Sequence, residues 1–150
     1  MKAIYSFVCL ACLLASCASQ PDNYELIEGE WRNVSLQLIQ HTIANGSADS
    51  TLTIKNGDWD SVLQMRPIRT TFNSDGTYMS RYYNLSDSLI FESGGHWHFI
   101  GDSLYLSSDE GDNSYLFQVL ENNQARFVSR LDWDNDGHPD DEYDGIQQKQ

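Results

Sequence analysis

From residue 26 to the C-terminus the apolar residues fall in short alternating or aromatic-rich runs. None of these runs has helical spacing, and Gly, Asn, Asp or Ser interrupts each after a few residues. That rhythm specifies antiparallel strands, because a strand turns successive side chains to opposite faces and needs a tight reversal at its end. The expected strands are 31–40, 50–55, 65–73, 77–84, 89–91, 96–100, 103–107, 114–120, 125–133 and 143–148. Between them, Asp75 with Gly76, Gly101 with Asp102, and Asn122 with Asn123 supply residues that tolerate the backbone of tight hairpins. One short helix, over 58–64, is expected as an interruption between strands. The expected fold class is all-β, with about eight to ten short antiparallel strands, which suit either a closed up-and-down barrel or a sandwich of two sheets. Pattern alone leaves both open.

The N-terminus follows a different rule. Lys2 precedes an apolar run over 4–14, too short to cross a bilayer as a helix, and Leu14, Ala15, Ser16 and Cys17 follow. That tetrad resembles the lipobox of bacterial lipoproteins. The resemblance implies a signal peptide over 1–16, cleavage before Cys17, and acylation of Cys17 with chains such as palmitate. Residues 17–25 then form a lipid-anchored tether, and 26–150 form the barrel domain. Cys9 and Cys12 leave with the signal and Cys17 carries lipid, so neither a disulfide nor a catalytic thiol is expected. Ala18, rather than Asp, follows the anchor, which points to the outer membrane of a cell envelope.

Twenty-two Asp and Glu against nine Lys and Arg give a net charge of -13. Nucleic acid is excluded as a partner, since phosphate binding requires clustered cations and the three lysines stand at 2, 55 and 149. An acidic surface also repels anionic headgroups, so membrane attachment falls to the acyl chains. A 12% aromatic content still provides a core.

Leu26-Ile27-Glu28-Gly29-Glu30-Trp31 opens the domain. Thr71-Phe72-Asn73-Ser74-Asp75-Gly76-Thr77-Tyr78 follows centrally, then Gly95-His96-Trp97 and Gly101-Asp102-Ser103-Leu104-Tyr105-Leu106. In that order these pieces resemble the lipocalin-like domains of small bacterial lipoproteins. The resemblance implies an antiparallel up-and-down barrel in which Trp31 closes one end, with Arg126 or Arg130 packed across it. A barrel with few large side chains inside holds a small hydrophobic ligand, whereas one filled by aromatics is a solid core. Tyr78, Ser80 and Tyr82 share one face of their strand, and Thr77, Met79, Arg81 and Tyr83 the other. Both faces are mixed, which leaves the inner one open.

No phosphate-binding glycine loop, dinucleotide fingerprint, His-Glu-x-x-His or Gly-x-Ser-x-Gly occurs, and the expectation is a protein that is not an enzyme. His96 and His98 flank Trp97 on one strand face, as solvent-facing polar residues beside a buried Trp do. Residues 132–144 carry the strongest chemical signal, with seven carboxylates and no Lys or Arg. Asp132, Asp134, Asp136 and Gly137 resemble the calcium loops of EF-hands, where alternate carboxylates converge on one hard cation and Gly allows the turn. The resemblance implies Asp132, Asp134, Asp136 and the backbone carbonyl of His138 as ligands, completed by Asp140 and by Asp141 or Glu142. Tyr143 stands where an EF-hand has its bidentate Glu, and the flanks read as strands, so the loop is a calcium-stapled hairpin or a bare solvated turn. The expected function is a lipid-anchored envelope protein whose barrel is a non-catalytic binding module for a small hydrophobic ligand, with structural calcium. The alternative is a filled barrel that docks onto an envelope protein.

Overall fold

The computed structural model describes residues 22–41 and 49–150. The expected signal peptide, the lipobox-like tetrad and Cys17 lie outside the described residues, as does most of the expected tether. The described chain is all-β apart from two five-residue helices. In order it runs α1 (Asn23–Ile27), β1 (Gly29–Gln40), β2 (Ser50–Ile54), α2 (Trp59–Leu63), β3 (Arg69–Phe72), β4 (Thr77–Tyr83), β5 (Leu89–Ile100), β6 (Ser103–Ser108), β7 (Gly111–Val119), β8 (Gln124–Leu131) and β9 (Asp141–Lys149). Each strand from β3 to β9 pairs antiparallel with the next. β9 returns to β1, and β1 meets β3, so eight strands close a barrel and leave β2 as an extra strand on β1. Closure removes most free edges. This is the up-and-down barrel that the lipocalin-like resemblance implies, and it excludes the sandwich.

One end, here the floor, carries the β3–β4, β5–β6 and β7–β8 turns together with both ends of the described chain. The other, the mouth, carries the β4–β5 and β6–β7 turns and the loop 132–140. The turn residues behave as their chemistry dictates. Asn122 and Asn123 both adopt positive φ, 59° and 57°, as a two-residue hairpin requires.

Three elements differ from the sequence expectation. The runs over 89–91 and 96–100 are one strand, β5, paired with β4 from Leu89 to His96. Gly94 and Gly95 mark a close approach rather than a break, since a Cβ at Gly94 would lie 2.8 Å from the Tyr78 carbonyl oxygen. Asn23 to Glu25, expected in the tether, belong to α1, whose Asp22 side chain accepts a 3.4 Å hydrogen bond from Tyr24 N. A single turn is too short to reveal a period of 3.6. Finally, β1 changes its inward face midway. Trp31 and Asn33 are buried below a register shift at Asn33/Ser35, and Leu36 and Leu38 above it. A bulge of this kind inserts one residue and reverses the alternation beyond it.

Trp31 closes the floor. It meets Phe117 and Phe127 edge-on at 6.3 and 6.1 Å and donates a 2.6 Å bond to the Ile27 carbonyl of α1. The cation across its ring is neither Arg126 nor Arg130. Lys149 Nζ lies 5.8 Å from the ring centroid and donates to the Leu26 carbonyl. Arg126 instead forks onto Asp144 at 2.8 and 2.6 Å, and Arg130 lies 3.5 Å from Glu142. Both arginines alternate with inward Ala125, Phe127 and Leu131 on β8, so their strand parity turns them outward.

Candidate functional site

The lower barrel is filled by Trp31, Phe72, Trp97, Phe99, Phe117 and Phe127, all buried. Above them a cavity of about 330 Å³ extends towards the mouth, bounded below by Phe72, Leu104 and Phe127 and above by Met65, Tyr82 and Trp133. Tyr78 is buried, and Ser80 and Tyr82 line the cavity, so these three form the inner face of β4. The barrel is therefore solid at one end and hollow at the other. That volume falls at the small end of ligand pockets, which span roughly 300 to 1,000 Å³.

The hollow has two local causes. Above Arg32, β1 leaves β3 to pair with β2, and the segment from Lys55 to Ile68 fills the gap in the wall. Trp59 and Leu63 of α2 face inward there. Arg66 clamps this segment to the β4–β5 turn, with Nε 2.9 Å from Asp87, a further bond to Asp60 and one of 3.0 Å to the Leu85 carbonyl. The side-chain bond from Arg66, followed by its charge, holds the Asp87 carboxyl below its ordinary range. The second cause is Gly145 on β9, over which the Tyr143 ring folds. A Cβ at Gly145 would lie 2.5 Å from the Tyr143 hydroxyl. With Gly there, Tyr143 lies flat on the wall.

Among the described residues, none that lines the cavity carries a formal charge. The polar groups are Asn33, Thr70, Ser80 and Gln147, three tyrosines, and the indoles of Trp59 and Trp133. Thr70 and Ser80 satisfy each other at 2.8 Å. Burial raises the hydroxyl pKa of Tyr82 and Tyr115 and pushes that of Tyr143 up to about 12, so all three remain neutral donors.

The loop 132–140 borders the mouth. One carboxylate oxygen from each of Asp132, Asp134 and Asp136 lies within 4.8 Å of the others, so these three could hold a metal ion, although exposed acids also cluster without one. The loop is pre-folded by its own acids: Asp132 accepts from Gly137 N at 3.0 Å, Asp134 from Asp136 N at 3.2 Å, and Asp136 from His138 N at 2.8 Å. Asp132 Oδ1 is buried without a partner. The other expected ligands make contacts of their own. The His138 carbonyl accepts from Asp140 N at 2.9 Å, and Glu142 faces Arg130 and, at 3.7 Å, His41. Asp140 supplies no oxygen to the group of three. Asp141, an expected alternative ligand, is fully buried, and its oxygens accept from the backbone N–H groups of His41, Trp133 and Asp134. It anchors the loop to the barrel. Its inward position on β9, in step with Tyr143, Gly145 and Gln147, was the only sequence signal for that role.

His96 and His98 are exposed on the outer wall, where His98 stacks on Tyr105 at 5.2 Å. The cavity and the acidic loop meet at Trp133, which lines the former and sits between two carboxylates of the latter. A scan against family models matches none to this chain, and a search of curated proteins finds no match either.

Proposed function

We propose that this protein is a lipid-anchored lipoprotein of the bacterial envelope whose barrel is a non-catalytic carrier for a small hydrophobic ligand. The cavity above the aromatic floor is the observation that supports this most directly, because folding alone does not require about 330 Å³ of space inside a barrel of this size. The uncharged lining supports the non-catalytic reading, since none of the described lining residues offers a carboxylate, imidazole or ammonium for proton transfer. The alternative of a filled barrel fits the floor but not the mouth.

Calcium fits as a structural ion. Asp132, Asp134 and Asp136 offer three hard oxygens in one small volume, with an orphaned oxygen on Asp132 and no Lys or Arg in the loop to compete. Asp140 and the His138 carbonyl stand close enough in sequence to join, whereas Glu142 is held by its cationic neighbours.

Native mass spectrometry of the purified protein tests carriage. A co-purifying small apolar molecule, lost when Leu106→Trp narrows the cavity, is the expected result. An empty protein that takes up no apolar compound would refute it.

A further inference from the structure

We infer that the cavity takes an uncharged amphiphile, a small and largely apolar molecule bearing a hydroxyl or a similar group that both donates and accepts a hydrogen bond. This rests on the carrier reading above and specifies its ligand. Two buried polar atoms of lining residues have no partner: the amide oxygen of Gln147 and the indole N–H of Trp59. Both residues are deeply buried, at 9% and 2% exposure, and buried polar groups are seldom left unpaired. Of the other polar lining groups, Thr70 and Ser80 pair with each other, and Asn33 and the other side of the Gln147 amide bond to the neutral Tyr143 phenol. What is missing is one donor, for Gln147, and one acceptor, for Trp59. A hydroxyl offers both, and it serves the Gln147 amide in either orientation.

Charge is excluded on the same grounds. A carboxylate, phosphate or ammonium would enter a low-dielectric space with no counter-ion among the lining residues. Anions would also meet a protein of net charge -13. Size sets the other bound. An engineered cavity of about 150 Å³ holds one benzene, so about 330 Å³ suits a two-ring or similarly compact molecule rather than a full acyl chain.

Titration calorimetry of the intact protein at neutral pH with 2-naphthol, naphthalene and 2-naphthoate tests this, since the three differ only in the polar group. One well-made hydrogen bond to an otherwise unpaired buried group corresponds to about tenfold in affinity or more. The naphthol should therefore bind at least that much tighter than either analogue. Gln147→Met should keep naphthalene binding and erase the preference, and the wild-type ranking decides even if that variant fails to fold. Naphthalene or naphthoate binding as tightly as naphthol overturns the ligand class and leaves the carrier reading standing. Failure of all three to bind overturns both.

Discussion

Tyr143 and Gly145 occupy the same inward face of β9, two residues apart, and the ring of the first lies over the backbone of the second. Gly145→Ala would therefore drive a methyl group into the ring and push it towards the cavity. Overpacking of this kind costs about 1 to 3 kcal/mol, which urea denaturation should show, together with weaker uptake of apolar compounds. Unchanged stability and uptake would mean that the ring moves aside without cost. The same tyrosine sets a pH dependence. Its burial raises the hydroxyl pKa from the ordinary value near 10 to about 12 in the folded state. The sign follows from linkage: a raised folded pKa contributes stability that is full below about pH 10 and is lost as pH rises through about 12. Burial of Tyr115 and Tyr82 adds in the same direction. Denaturation midpoints should therefore fall steeply across that window in the wild type and less in Tyr143→Phe. Equal slopes would place the titrating groups elsewhere.

At the scale of the element, the loop 132–140 carries the calcium prediction. Its carboxylates already accept backbone bonds within the loop, so the ion would find a pre-folded turn rather than fold one. The affinity should nevertheless be modest, roughly 0.1 to 1 mM as in extracellular modules, because Tyr143 is buried in the barrel and no bidentate Glu takes its place. Calcium at ten times its dissociation constant should add ~1.4 kcal/mol, or several degrees in Tm. Asp134→Ala and Asp136→Ala should abolish the shift, while Asp109→Ala, in the β6–β7 turn, should leave it intact. Trp133 emission should report the same event, since Trp133 lies between two of the ligands. Identical melting curves in calcium and in chelator would reduce the loop to a hydrogen-bonded turn anchored by Asp141.

For the whole molecule, the proposed anchor at Cys17 would give the two ends of the barrel different surroundings. Asp22, where the described chain begins, lies at the floor, since Asn23 bonds to Asp102 in the β5–β6 turn at 3.3 Å. Four residues separate it from Cys17, and the five backbone steps reach at most about 17 Å. An acyl chain on Cys17 would thus hold the floor against the bilayer and aim the mouth, with its acidic loop, away from it. Cys17→Ala should release the protein from the detergent phase into the aqueous phase. Retention of the variant with membranes would show that the anchor lies elsewhere.

Strand positions and the hairpin turns were legible in the sequence because each depends on local chemistry, namely alternation of side chains and φ > 0 at Asn and Gly, whereas the closing role of Trp31 followed from the lipocalin-like resemblance. The Asp132, Asp134 and Asp136 cluster was legible for the same reason, since alternate residues in a turn converge whatever surrounds them. Register and long-range contact were not. Which cation crosses Trp31 depended on β8 parity and on where β9 ends, and Lys149 reaches the ring from 118 positions away. Asp141 and Glu142 are adjacent in an acidic run, yet pleat direction buries one as a loop anchor and gives the other to Arg130 and His41. The choice between a solid and a hollow barrel also belonged to the tertiary structure. It turned on a glycine beneath Tyr143 and a wall segment between β2 and β3, and packing volume is a property of facing strands that no single strand encodes.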